Sequence, residues 1–178
     1  VRGDGHATLQ FSAVEAGLTE LTWIVESREM QWALWQSLQD SDVTILSPAR
    51  PVAVEWQASH ACLQMESGER VSARLLVGAD CAQSWLRQQA AIESTAAPYQ
   101  QKGVVANFQC EKGHGSIARQ WFREDGILAW LPLPDNRISI VFSTWNEQAD
   151  ALCALQPDVL AETVALAGGR ALGKLTCI

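Results

Sequence analysis

Leu75-Leu76-Val77-Gly78-Ala79-Asp80-Cys81-Ala82-Gln83-Ser84-Trp85-Leu86-Arg87 joins two kinds of local structure within thirteen residues. Its apolar opening reads as a β-strand, with Asp80 at the carboxyl end. Ser84 is placed to cap a helix that carries Arg87 in its first turn. The carboxyl end of a strand is where α/β sheets hold cofactors, and an Asp there can accept hydrogen bonds from sugar hydroxyls. Arg87 could hold Asp80 in place or reach a phosphate. By pattern alone, an ordinary strand-to-helix junction is the better account of the segment.

Upstream, residues 8–14 read as a strand running into a turn at Gly17, with an extended piece after it over 21–25. Over residues 28–39 the apolar spacing becomes helical: Met30, Ala33, Leu34 and Leu38 share a face, with Trp35 at its border. Residues 43–46 read as a strand, and Pro48 and Pro51 punctuate the chain beyond it. Val52, Val54 and Trp56 alternate with their neighbours, as do Ala61, Leu63 and Met65. After a turn at Ser67-Gly68-Glu69, residues 71–77 form the next strand of a meander. Downstream, a helix is expected over 84–91 and strands over 103–110, 117–123, 127–131 and 138–145. Asp125-Gly126 makes a tight hairpin, and Leu131-Pro132-Leu133-Pro134 ends the third of these strands. Pro157 opens a closing helix with Leu160, Val164 and Ala167 on one face, stopped by Gly168-Gly169. The expected fold class is α+β, with a large antiparallel sheet in the second half.

Composition narrows the function. With 178 residues, 48% apolar and 19% charged, the chain can bury a core and is not a disordered segment. Thirteen Lys and Arg against twenty Asp and Glu give a net charge of −7 and no basic block, which disfavours nucleic acid and anionic lipid as partners. No apolar run approaches a membrane span, and no secretory signal precedes the first strand. The five cysteines (62, 81, 110, 153 and 177) are widely scattered, which excludes zinc knuckles and CxxC sites and suits a reducing, cytoplasmic setting.

Other constellations are weaker. Gly113-His114-Gly115-Ser116-Ile117-Ala118 matches G-x-G-x-x-A, but the alternating Arg119-Gln120-Trp121-Phe122 leaves no room for the helix that a pyrophosphate site requires, so it reads as a hairpin loop. His6, His60 and His114 are isolated, and no metal site is expected. Glu111, Glu124, Asp125, Asp135 and Glu147 read as solvated turn charges rather than a catalytic acid pair, and no catalytic acid or base is assigned. Eight tryptophans either fill a sheet–helix core or line a pocket for a flat, greasy ligand.

Gly78-Ala79-Asp80-x-x-x-Ser84-x-x-Arg87 resembles the GADG-x-x-S-x-x-R motif of flavin-dependent aromatic hydroxylases, the class related to p-hydroxybenzoate hydroxylase. Further blocks are similar to the polyprenylphenol hydroxylases of ubiquinone biosynthesis. They are Trp23-Ile24-Val25-Glu26 with Ala33-Leu34-Trp35, Tyr99-Gln100 with Val104-Val105-Ala106, Ala118-Arg119-Gln120-x-Phe122, and residues 126–133. Similarity runs from about residue 8 to the end. Cys81 stands where the motif has Gly, and Ser27 where this branch has Asn.

That resemblance implies the middle of an α/β flavin-monooxygenase, with the family's glycine-rich ADP-binding unit expected before residue 1 and its GD segment after residue 178. Residues 1–22 would be a substrate-domain strand, 23–97 part of the FAD-binding domain, and 98–178 the substrate-binding sheet and helix. Asp80, Arg87, Ser27 and Cys81 would touch FAD. The intact enzyme would use NAD(P)H and O2 to hydroxylate a prenylated phenol. Phe108, Trp121, Trp130 and Phe142, with Ala106, are candidate walls of a dry substrate pocket, on a face that alternation does not choose. Peripheral membrane or complex association stays open. So do a non-catalytic ligand-binding module and a flavin-fold prenyl reductase or halogenase.

Overall fold

The computed structural model describes residue 1 and residues 7–178. The chain divides into two compact units, one of Val1–Gln31 with Pro98–Ile178 and the other of Trp32–Ala97. Helix α1 (Ser27–Gln39) begins in the first unit and ends in the second. It contains no Gly or Pro, yet none of its residues is buried, and Met30, Leu34 and Leu38 are all exposed.

Within Trp32–Ala97, β1 (Pro51–Trp56), β2 (Ala61–Met65) and β3 (Arg70–Ala73) form an antiparallel meander in that order. Gly68 turns the chain between β2 and β3 at φ 89°, a left-handed conformation that suits glycine. Ala61, Cys62 and Met65 are the buried apolar residues of this sheet. Helix α2 (Trp85–Gln89) is tied to the end of β1 by the Trp56 indole, whose Nε1–H donates to the Gln89 carbonyl at 3.2 Å. Three expected strands are corrected. Residues 8–14 and 43–46 form no strand, and β3 stops at Ala73 rather than continuing to residue 77. Leu75 and Val77 are extended but 77% exposed; without a ladder partner among the described residues, an apolar run is not a strand.

In the other unit, β4 (Gln101–Cys110), β5 (Arg119–Arg123), β6 (Gly126–Leu133), β7 (Arg137–Trp145) and β8 (Leu175–Cys177) form one antiparallel sheet in the order β5-β6-β7-β4-β8. Helix α3 (Asn146–Cys153) comes directly after β7, and α4 (Pro157–Ala167) opens on its proline as expected. Strand β6 continues through Pro132, since β5 stops pairing at Trp130 and leaves that edge with no ladder bond to lose. Gly126 is required at the hairpin: at φ 140°, a Cβ there would lie 2.1 Å from the Ser143 carbonyl oxygen.

Period-two alternation gives this sheet two unlike faces. Val104, Phe108, Cys110, Leu128, Trp130, Ile138, Ile140 and Phe142 are buried in one core with Ala149 and Leu152 of α3 and Ala161, Val164 and Ala165 of α4. The intervening residues point the other way, and the register aligns them in rows. Val105, Val141 and Ala129 form one row; Asn107, Ser139 and Leu131 form the next. Helices α3 and α4 leave this second face uncovered, and Val105 is 65% exposed there.

Candidate functional site

Asp80 organises the junction that the sequence singles out. The Ser84 hydroxyl donates to Asp80 Oδ1 at 2.5 Å, and the Leu86 N–H donates to Oδ2 at 3.2 Å. Ser84 Oγ in turn accepts from the Arg87 N–H at 3.0 Å, the N-cap bond of α2. These donors, the Ser84 hydroxyl first and the Leu86 amide next, hold the Asp80 carboxyl below its ordinary range. The carboxylate is exposed and two donors do not exhaust its lone pairs, so it can still accept from a ligand hydroxyl.

The backbone around it has the shape of a close-approach loop. Cys81 sits at φ 68°, the left-handed region where the related motif carries Gly, and its side chain is exposed. A Cβ on Gly78 would come within 3.2 Å of Asp80 Oδ1 and 3.3 Å of Leu86 Cβ, so this glycine lets the chain before Asp80 pass close to α2. Arg87 does not pair with Asp80: its Nη1 donates to the Ala82 carbonyl at 3.0 Å and closes the loop from within. An exposed carboxylate beside a left-handed loop residue fits the hydroxyl-bearing part of a nucleotide cofactor.

Ser27 opens α1 and is exposed, its Oγ accepting from Gln31 Nε2 at 3.3 Å. The preceding residue, Glu26, supplies the carbonyl that accepts from the Glu29 and Met30 amides. Its carboxylate turns to the sheet, where Asn107 Nδ2 donates to Oε1 at 3.3 Å and Arg137 Nη1 lies 4.0 Å from Oε2. Sequence reasoning missed this cluster, because partners 81 residues apart leave no local signal.

Phe108, Trp130 and Phe142 are at most 2% exposed and lie on the helix-covered side of the sheet. Trp121 is half-buried, set edge-on to Trp130 with centroids 4.9 Å apart, and Ala106 packs against the same core. In this structure all five are packing residues, and alternation sends their neighbours to the uncovered face. The indole Nε1–H of Trp130 is buried without a hydrogen-bond partner among the described residues.

The G-x-G-x-x-A segment is a loop between β4 and β5 with no helix after it, as expected. His114 locks that loop: its Nδ1 accepts from the Ser116 N–H and its Nε2 meets the Leu133 carbonyl, each at 3.0 Å. The His60 ring meets Ser59 Oγ at 3.3 Å, and His6 lies outside the described residues. No group of metal-ligating side chains occurs among the described residues, all five cysteines are free thiols, and no described helix is long and apolar enough to cross a membrane.

Two solved structures share this fold. The flavin-dependent halogenase CmlS superimposes on 86% of this chain and 30% of its own, with TM-score 0.65 and 14% identity. PqsL of Pseudomonas aeruginosa, a probable FAD-dependent monooxygenase, matches 83% of this chain and 45% of its own, with TM-score 0.60 and 20% identity. The fold is thus that of flavin-dependent monooxygenases and halogenases.

Sequence narrows this further. The 3-demethoxyubiquinol 3-hydroxylase of Escherichia coli is 37% identical over 137 residues, 76% of this chain and 35% of that protein. The ubiquinone hydroxylase UbiL of Rhodospirillum rubrum is 32% identical over 156 residues, 87% of this chain and 35% of its own. A mitochondrial ubiquinone biosynthesis monooxygenase of Drosophila melanogaster is 34% identical over 146 residues, 78% of this chain and 31% of its own. No family model matches the chain. Over most of its length the chain is similar to hydroxylases of ubiquinone biosynthesis, and it spans about a third of the length of the curated relatives it matches.

Proposed function

We propose that this chain is the central segment of a flavin-dependent monooxygenase that hydroxylates a prenylated phenol, consuming NAD(P)H and O2 and releasing NAD(P)+ and water. The observation that carries the reading is the exposed, ionised Asp80 beside the left-handed Cys81, in a chain homologous to ubiquinone hydroxylases. Asp80 would accept from hydroxyls of FAD, and the Cys81 backbone would allow the cofactor's close approach. Ser27 would offer a hydroxyl, and Arg87 would stiffen the loop rather than bind phosphate itself. Bound flavin supplies the oxygen-activating chemistry that no protein side chain can.

The substrate would meet the uncovered sheet face, through Val105, Ala129, Leu131 and Val141. Those residues would exclude water from the reacting ring and match an apolar prenyl chain. Phe108, Trp121, Trp130 and Phe142 would act from behind, by holding the sheet in shape. The fold alone does not choose between hydroxylation and halogenation, since one scaffold hosts several chemistries; the homologues favour hydroxylation. The test is to titrate the gene product carrying this segment with FAD, then monitor NADPH oxidation and product mass with a short-chain prenylphenol. Saturable flavin binding and a product heavier by one oxygen are expected. A gene product that binds no flavin overturns the proposal.

A further inference from the structure

We infer that Glu26 is a positioning residue that fixes the first turn of α1, and with it the Ser27 hydroxyl, against the uncovered face of the sheet. This rests on the proposed flavin role of Ser27. A helix normally docks by burying an apolar stripe. Here no residue of α1 is buried among the described residues. The described polar contacts that place its first turn converge on one residue. The Glu26 carbonyl accepts from the Glu29 and Met30 amides and starts the helix, while its carboxylate reaches Asn107 at 3.3 Å and Arg137 at 4.0 Å. Asn107 lies in β4 directly opposite Ser139 of β7, on the uncovered face.

Stability alone explains this arrangement poorly. The Glu26 and Arg137 side chains retain 24% and 27% of their exposure, so the ion pair is partly screened and adds little to folding. Arg137 is also held independently of Glu26, since its Nε donates to the Pro134 carbonyl at 3.0 Å and Asp135 stands 3.7 Å away. What the contact does supply is register. One carboxylate fixes the distance between the residue expected to touch the cofactor and the strand expected to touch the substrate. Small errors in that distance are costly to a site that must align two ligands.

The experiment uses the gene product carrying this segment, in four forms: wild type, Glu26→Ala, Glu26→Gln and Asn107→Leu. FAD dissociation constants, the visible flavin spectrum and thermal unfolding by circular dichroism are measured for each. Loss of one charge-assisted hydrogen bond corresponds to about a tenfold change in an equilibrium constant. Glu26→Ala and Asn107→Leu are therefore each expected to weaken FAD binding about tenfold and to shift the flavin band, with little change in melting temperature. Glu26→Gln keeps an oxygen acceptor for Asn107 and is expected to recover most of the wild-type affinity. If Glu26→Ala does not fold, Asn107→Leu decides alone. Wild-type FAD affinity and spectrum in Asn107→Leu, or in a folded Glu26→Ala, overturns the inference and leaves the flavin reading intact. Absence of flavin binding by the wild type instead overturns the reading on which it rests.

Discussion

Adjacent residues of β7 should respond to truncation in opposite ways, because they serve opposite faces of one sheet. Phe142 is 2% exposed and packs with Leu128, its partner across the strand pair, while the Arg123 guanidinium sits 5.9 Å from its ring centroid. Phe142→Ala removes a full aromatic ring and leaves a cavity that α3 and α4 can only partly close, a loss of about 3–5 kcal/mol. For a chain of this size, each kcal/mol lowers the melting temperature by roughly 2–4 °C. The variant should therefore melt roughly 6–20 °C below wild type. Val141 is half-buried on the uncovered face, opposite Val105 and Ala129. Its truncation to Ala removes two methyl groups that are only partly shielded, a cost below about 1 kcal/mol.

Ligand binding should invert that order. With both variants held at a temperature where Phe142→Ala is folded, Val141→Ala should weaken prenylphenol binding several-fold, while Phe142→Ala should leave it nearly unchanged. Near-ultraviolet circular dichroism, which reports the environment of buried Trp130, gives the melting curves, and isothermal titration in the flavin-loaded gene product gives the affinities. Equal destabilisation by the two variants would refute the assignment of faces. Unaltered prenylphenol affinity in Val141→Ala and in the more severe Val141→Asp would refute the uncovered face as the ligand side.

Local geometry dictates two further outcomes. Gly168, at φ −90°, has a backbone that accepts alanine, a change that ordinarily stabilises by about 0.4–1 kcal/mol. Here the new Cβ would lie 2.2 Å from Trp130 Cζ2, on a ring locked in the core, so Gly168→Ala should instead destabilise by about 1–3 kcal/mol in urea unfolding. Ser84→Ala removes the cap of α2 and should cost about 1 kcal/mol at neutral pH, seen as faster amide exchange at Leu86 and Arg87. Asp80 titrates below its ordinary value in the folded chain, so its contribution is complete above the unfolded value of about 3.9 and fades as pH falls through the lower folded one. Amide protection of α2 should therefore decline below about pH 4. In Ser84→Ala, where the largest cause of the shift is gone, the decline should begin at the same pH but be smaller and be complete at higher pH. A decline of the same size that ends at the same pH in both proteins would show that Ser84 does not hold the carboxylate.

What was legible in the sequence was what local chemistry dictates. Alternation located β4 and β7, turn chemistry the Asp125-Gly126 hairpin, and a proline the Pro157 start of α4, because each is decided within a few residues. The Ser84 cap was equally local. Helix α3 escaped notice since it starts at Asn146 with no side-chain cap, directly after a strand, and β8 since three residues carry no period. Residues 75–77 illustrate the converse. Their apolar character is that of a strand, but a strand exists only where a neighbour accepts its backbone bonds. The face that holds Phe108, Trp130 and Phe142 was undecidable for a related reason. Alternation says that neighbours point apart, and only the placement of α3 and α4 says which side is covered.

The same contrast explains why the proposed cofactor side of this chain can be recognised from a short motif and the proposed substrate side cannot. Asp80 is held by the Ser84 hydroxyl and the Leu86 amide, donors four and six residues away, and its pose needs little from a core. The sheet of its own unit buries Ala61, Cys62 and Met65 and few others, so local hydrogen bonds rather than packing define the loop. A site built in that way must keep its residues in fixed order, and Gly78, Asp80, Ser84 and Arg87 therefore remain legible as a spacing. The uncovered sheet face is built from residues contributed by three strands in register, and shape there depends on the buried layer behind it. Many apolar combinations satisfy such a layer. Its side chains can change without disturbing the fold, which is why that face carries no fixed spacing.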